Sequence, residues 1–374
     1  MTTTPLPSSF GQHLAETRAA LNAQFDSVLS EIHADFIRRP SLRPIWKALR
    51  AFLINEGKRV RPLLFLSTYH LFEQEKDDSR LNALYRVGCG LEIFHAFALI
   101  HDDIIDASLS RRGQPTMHLR IENEFGLSHE NSRNLALVMG DILFGYAMEL
   151  LASPDLPPER VARAIRYFAG VARDTGLGEG VEIIHLEKTL DEVTEDEILQ
   201  TYYLKTTRYT IEGPMVLGAI LAGAPESSLH ALQRFAYPLG LAFQIENDLH
   251  ELSLNPDDLV RLANDIRMGV KTLAFKKLHQ ALDNAERVFL ENFMRNPLPV
   301  ADLPRLCKVI QSSGIHESLS RETSRFFQEA ALILEASPLE DSQKAGLSAL
   351  VAFVDNNSHH SEAFAPKARR AASR

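Results

Sequence analysis

Long apolar stretches dominate the chain. Residues 80–106, 131–152 and 229–252 are apolar on nearly every side when read as helices. A helix of that kind is normally buried, so these segments are expected to be central. Segments 157–187, 271–294 and 317–336 carry apolar residues on one face only, which predicts outer helices packed around the first three. No stretch alternates apolar and polar positions with β-branched residues, as a half-buried strand would. SPDLPPE at 153–159, GAPESS at 223–228, LNPDD at 254–258 and NPLPVADLP at 296–304 read as turns. The predicted fold class is all-α: an antiparallel bundle of long helices around a central cavity.

The two ends differ from this body. Residues 1–9 are mostly Thr, Pro and Ser, and the chain closes on PKARRAASR. A flexible N-terminus and a disordered basic tail over 358–374 are expected, with one helical domain at 10–357 between them. The formal net charge of −9 over 374 residues excludes nucleic acid as the main partner, because phosphate backbones attract basic surfaces. It leaves room for small phosphorylated ligands, which need only a local cationic patch. Cys89 and Cys307 are far apart in apolar contexts and make no disulfide framework or zinc spacing, so a reducing, cytoplasmic setting is expected. The N-terminus lacks the basic start and apolar run of a secretory signal. No window is read as reaching the roughly 18 apolar residues of a membrane span, and no stable membrane insertion is expected.

Candidate chemistry begins at the end of the first apolar segment, where Asp102, Asp103 and Asp106 close an apolar helix. Their spacing places all three on one helical face. Buried acids are costly unless cations neutralise them, and oxygen-only ligands suit Mg²⁺ bridging to phosphate. Acids at a helix C-terminus also oppose the macrodipole, which weakens the reading as a plain solvated helix end. Ser110-Arg111-Arg112-Gly113-Gln114-Pro115 follows, placing two arginines on a turn. They can form ion pairs with the aspartates or grip phosphate oxygens. Upstream, Gly57-Lys58-Arg59-Val60-Arg61-Pro62 opens an apolar run, and cations at a helix start are better explained by an anion. A second acidic group follows Gln244, where Asn247, Asp248 and Glu251 repeat the spacing of the first. Lys205 interrupts an apolar region between the clusters, and a buried lysine needs a partner; a diphosphate would serve.

These residues resemble the trans-isoprenyl diphosphate synthases, or polyprenyl synthetases, which include farnesyl and geranylgeranyl diphosphate synthases. The likeness covers roughly residues 50–275, with GKRVRP, HDDIID, RRGQPTMH, KTT and FQIEND in the family's order. It implies an isopentenyl diphosphate substrate, an allylic diphosphate co-substrate, Mg²⁺ (roughly three ions) and a homodimer. It further implies that Asp102, Asp103 and Asp106 hold Mg²⁺ against the allylic diphosphate, which Arg111 contacts. Lys58, Arg61, His95 and Arg112 match the isopentenyl diphosphate pocket. Lys205 and Gln244 match residues beside the reacting carbons and leaving group.

The chain departs from the family pattern on one side of the site. Asn247 and Glu251 stand where the second motif usually carries aspartates. Val270 occupies the place of an expected lysine, with Lys271 one position late as the candidate substrate-binding lysine, and Glu179 and Glu182 replace Gln and Asp. A chain-elongating synthase tolerates these changes. A terpene synthase on the same scaffold would dispense with isopentenyl diphosphate. A non-catalytic partner subunit would not need the first motif, and a helical scaffold would leave the acids unexplained. One turn before Asp102 lie Phe97 and Ala98, with Phe94 further back. Bulk there is associated in the family with short or medium products, so a C15 to C20 product is expected, although Phe94 also suits an ordinary core.

Overall fold

Local sequence signals start and stop the helices seen in the computed structural model, which describes residues 8–54, 57–73, 78–111, 113–252, 268–295 and 303–358. Helices α1 (Ser8–Ile37), α2 (Arg43–Leu53) and α3 (Val60–Phe72) precede the first long apolar helix, α4 (Leu81–Ile105). A short turn then leads to α5 (Met117–Phe125) and α6 (His129–Leu151). Ser128 caps α6 by accepting from the Asn131 N–H at 3.3 Å. α7 (Pro158–Leu186) begins on a proline, which suits a first helical turn. α8 (Glu195–Tyr202) starts in a reciprocal capping box between Thr194 and Glu197. A ten-residue π-helical segment, Tyr203–Glu212, continues it and runs into α9 (Gly213–Ala222) and α10 (Glu226–Glu251). The described chain ends with α11 (Leu273–Ala281), α12 (Asn284–Arg295), α13 (Leu303–Ser312), α14 (Ile315–Glu335) and α15 (Asp341–Ser358).

α4 lies along α6, α3 along α9, and α10 along α14, while the π segment is held between α7 and α10. The larger apolar core gathers around α1, α3, α4 and α9, and a smaller one joins α8 to α11–α14. The π segment is clamped by two glycines. A Cβ on Gly178 of α7 would lie 2.4 Å from the Lys205 nitrogen, and one on Gly240 of α10 would lie 2.2 Å from Thr207 Cγ2. Only a bare Cα permits approaches this close, and they fix Lys205 between α7 and α4.

The all-α expectation is met, with three local differences. Ser110–Arg111 and Gln114–Pro115 pair as a two-stranded hairpin turning at Gly113, whose φ is 71°. The 271–294 segment is two helices. Leu282 takes an extended conformation and Asp283 Oδ1 caps the next helix, accepting from Ala285 and Glu286 N–H at 2.9 Å. The 131–152 helix is not buried all round. α6 packs against α4 on one side and leaves Leu137 and Val138 exposed at 42% and 46%.

Contrary to the expectation that no window is apolar enough, α4 and α6 each are, by length and composition, apolar enough to cross a membrane. Two-thirds of the α4 window is buried in the protein, as a core helix would be, whereas α6 keeps an open apolar face. The turn expected at 254–258, most of that at 296–304, the basic tail and the first seven residues lie outside the described residues.

Candidate functional site

The last turn of α4 brings Asp102 and Asp103 to one end of the bundle, and Asp106 caps the helix. Asp103 is 1% exposed. The hairpin folds back over this end, anchored by the Thr116 hydroxyl donating to the Ser108 carbonyl at 2.9 Å. Its return places Arg111 across both acids: Nε donates to Asp103 Oδ1 and Nη2 to Asp102 Oδ2, each at 2.7 Å. Asp103 Oδ2 is buried and has no hydrogen-bond partner among the described residues. Burial pushes the Asp103 carboxyl up to about 6 against the pull of Arg111. Burial and the neighbouring Asp102 charge push Asp106 to about 8.

Lys205 reaches the cluster from the π segment. Its Nζ lies 3.4 Å from Asp102 Oδ1 and 2.8 Å from Glu179 Oε2, and it also donates to Glu182 on α7. Burial disfavours its charge, but Glu182, Asp102 and Glu179 outweigh that and hold its pKa well above the ordinary value. π turns recur at functional sites because they redirect side chains from the regular helical path.

α10 carries the second acidic group. Asp248 is buried, and Gln244 Nε2 donates to its Oδ1 at 2.9 Å. The Tyr202 hydroxyl donates to Asp248 Oδ2. Asn247 is half-buried nearby in sequence, while the side chain of Glu251 lies outside the described residues. Lys271 turns its ammonium to the carbonyls of Gly269 and of Leu186, the last residue of α7.

A concave pocket adjoins the hairpin, lined among others by Gly57, Arg59, His95, Arg111, Gln114 and Arg120. Lys58 is half-buried at the entrance to α3. Arg61 lies 4.4 Å over the Tyr209 ring and donates to Thr210 Oγ1 at 2.7 Å. The His95 ring lies 6.0 Å from the same tyrosine. Arg112 lies outside the described residues. Arg59 belongs to the frame: it sits over Phe25 and donates to Glu92 at 2.8 Å and to Asn22 at 3.1 Å.

Below the acids the wall is aromatic. Phe94 is fully buried, with ring centroids 4.9 Å from Phe168 and 5.4 Å from Phe97. Phe97 packs on His101 at 4.6 Å and on Phe144 of α6 at 5.3 Å. Ala98 is half-buried one turn beneath Asp102.

Three contributors escaped the sequence reading. Tyr202 and Arg120 carry no pattern of their own. The Arg59–Glu92 pair had a signal, because a lone acid inside an apolar helix needs a cation.

The polyprenyl synthetase family profile matches residues 43–310. The chain is 30% identical to the geranylgeranyl diphosphate synthase of Sulfolobus acidocaldarius, over 66% of this chain and 71% of that protein. It is 31% identical to geranylgeranyl pyrophosphate synthase 7, chloroplastic, of Arabidopsis thaliana, over 72% of each. Among solved structures, geranylgeranyl pyrophosphate synthetase from Geoglobus acetivorans superposes with a TM-score of 0.72 at 26% identity, covering 93% of this chain and 99% of that one. The Corynebacterium glutamicum geranylgeranyl pyrophosphate synthase, solved with isoprenyl diphosphate and magnesium, has a TM-score of 0.80. Its 24% identity, over 92% of this chain and 99% of that one, shows a shared fold.

Proposed function

The chain belongs to the polyprenyl synthetase family, and from that premise we propose that it joins isopentenyl diphosphate to an allylic diphosphate, ending at C15 to C20. The carrying observation is Asp103 Oδ2, a carboxylate oxygen buried without a hydrogen-bond partner beside Asp102 and Asp106. Such an oxygen is costly to bury unless a cation meets it. Asp102, Asp103, Asp106 and Asp248 offer only hard oxygen donors, which fit Mg²⁺, and Asn247 adds an amide oxygen. When bound, Mg²⁺ neutralises charge developing on a departing diphosphate; family likeness suggests roughly three ions.

This chain's own groups do the rest. Arg111 and Lys205, now resting on carboxylates, are placed to turn their donors to the oxygens of the allylic diphosphate. Lys58, Arg61, His95 and Arg112 take the isopentenyl diphosphate, with Arg120 as a further cation at that pocket. The aromatic wall of Phe94, Phe97 and Phe144 keeps water from the allylic cation. The released diphosphate accepts the proton lost in the condensation, so no dedicated protein base is needed. The two sequence relatives are named geranylgeranyl diphosphate synthases, which supports a C20 product. The open apolar face of α6 supports a homodimer, and the free Cys89 and Cys307 support a reducing, cytoplasmic setting.

Incubation with Mg²⁺ and each allylic diphosphate, with and without isopentenyl diphosphate, tests the proposal. Elongated diphosphates must form only when both substrates are present. Hydrocarbons formed from the allylic diphosphate alone would make the chain a terpene synthase.

A further inference from the structure

The hydroxyl of Tyr202 has no place in the chemistry above, yet it sits between three functional elements. Tyr202 is the last residue of α8, just before the π segment that carries Lys205. It is almost fully buried. Its oxygen accepts the Leu273 N–H at 2.8 Å, and its proton goes to Asp248 Oδ2.

The direction of these bonds follows from chemistry. A backbone N–H can only donate, so the hydroxyl must be the acceptor toward Leu273, which leaves its one proton for Asp248. Leu273 opens α11, and its N–H is one of the orphan donors of a helix start. Gln244 holds the other Asp248 oxygen at 2.9 Å. A carboxylate held by a donor on each of its two oxygens has its plane fixed.

We propose that Tyr202 is a positioning residue for prenyl transfer. Its hydroxyl sets the orientation in which Asp248 meets a divalent cation, and ties that orientation to the start of α11. The inference rests on the reading of Asp248 as a cation ligand. Partners of this kind orient the groups that hold a metal, and losing one typically weakens metal binding about 10- to 100-fold.

The test is Tyr202→Phe in the full chain, read by the Mg²⁺ dependence of turnover and by calorimetry of Mg²⁺ with a non-reactive bisphosphonate. The half-saturating Mg²⁺ concentration rises about 10-fold, while kcat at saturating Mg²⁺ is largely kept. In an Asp248→Asn background the same substitution adds no further shift, because the hydroxyl acts through that carboxylate. A purely structural tyrosine would lower the melting temperature and leave the Mg²⁺ midpoint where it was, which overturns the inference.

If Asp248→Asn itself leaves Mg²⁺ binding unchanged, the parent reading of the acidic group on α10 fails. If it shifts the midpoint and Tyr202→Phe does not, only the role of Tyr202 falls. Should Tyr202→Phe not fold, the wild-type chain still carries a test. Adding Mg²⁺ with the bisphosphonate must perturb the tyrosine ultraviolet spectrum more in wild type than in Asp248→Asn, since the perturbation of other tyrosines is common to both. Equal spectra in both would overturn the inference.

Discussion

Gly178→Ala is a one-carbon change whose effect follows from distances. The new Cβ would lie 2.4 Å from the Lys205 nitrogen, 2.8 Å from Lys205 Cα and 2.9 Å from the Leu204 carbonyl carbon. Non-bonded heavy atoms prefer about 3.5–4.0 Å, so α7 and the π segment must part by roughly 1 Å. These contacts are backbone, and no side chain can swing aside to relieve them. Overpacking of this kind costs about 1–3 kcal/mol, of which the better helix propensity of alanine returns up to about 1 kcal/mol. The larger effect falls on catalysis. Lys205 holds Glu179 at 2.8 Å and Asp102 at 3.4 Å, and a misplacement of about 1 Å at a reacting centre costs on the order of 10²-fold in rate. The assay is kcat/KM for both substrates at saturating Mg²⁺, with a thermal melt of the same preparation. Gly176 lies on the same helix with nothing within 4 Å of its would-be Cβ, so Gly176→Ala is the control and should keep its rate. If Gly178→Ala melts at or above wild type and turns over as fast, the clamp does not position Lys205.

Three further outcomes are expected. Asp103→Asn removes one charge facing Arg111 and one anionic oxygen from the cluster, and turnover should fall by about 10²-fold or more; wild-type turnover in this variant, or in excess chelator, would rule out the acidic cluster as the metal site. Asp103 and Asp106 are raised to about 6 and about 8, so the folded chain keeps protons that the unfolded chain releases, and in chelator its stability should fall as pH climbs from the usual carboxylate range toward 8. Because Mg²⁺ needs these carboxylates ionised, the rise in melting temperature on adding Mg²⁺ should grow over the same window, and a flat response in differential scanning calorimetry would refute the assignment. Phe97→Ala should open the aromatic wall shared with Phe144 and lengthen the product, as chromatography of dephosphorylated products would show; an unchanged distribution would place the floor elsewhere.

Short stretches of the chain specify part of this fold and site by themselves. The apolar run ending in Asp102 and Asp103 specifies a buried helix with acids at its tip, because no other arrangement reconciles that periodicity with the cost of burying charge. A partner for Lys205 was legible for the same reason, although the partners in the structure are Asp102, Glu179 and Glu182. The π segment was not legible, because its widened turns are held by Gly178 and Gly240 on two other helices. α6 was read as central because composition alone cannot distinguish a face buried within the chain from one left open for another surface. Set one residue past the expected diphosphate-binding lysine, Lys271 turns its ammonium to the carbonyls of Leu186 and Gly269. There it favours the C-terminal end of α7, where a helix dipole welcomes a cation. α7 is also the helix that presents Glu179 and Glu182 to Lys205. Lys271 therefore steadies the helix whose carboxylates hold the cation of the π segment.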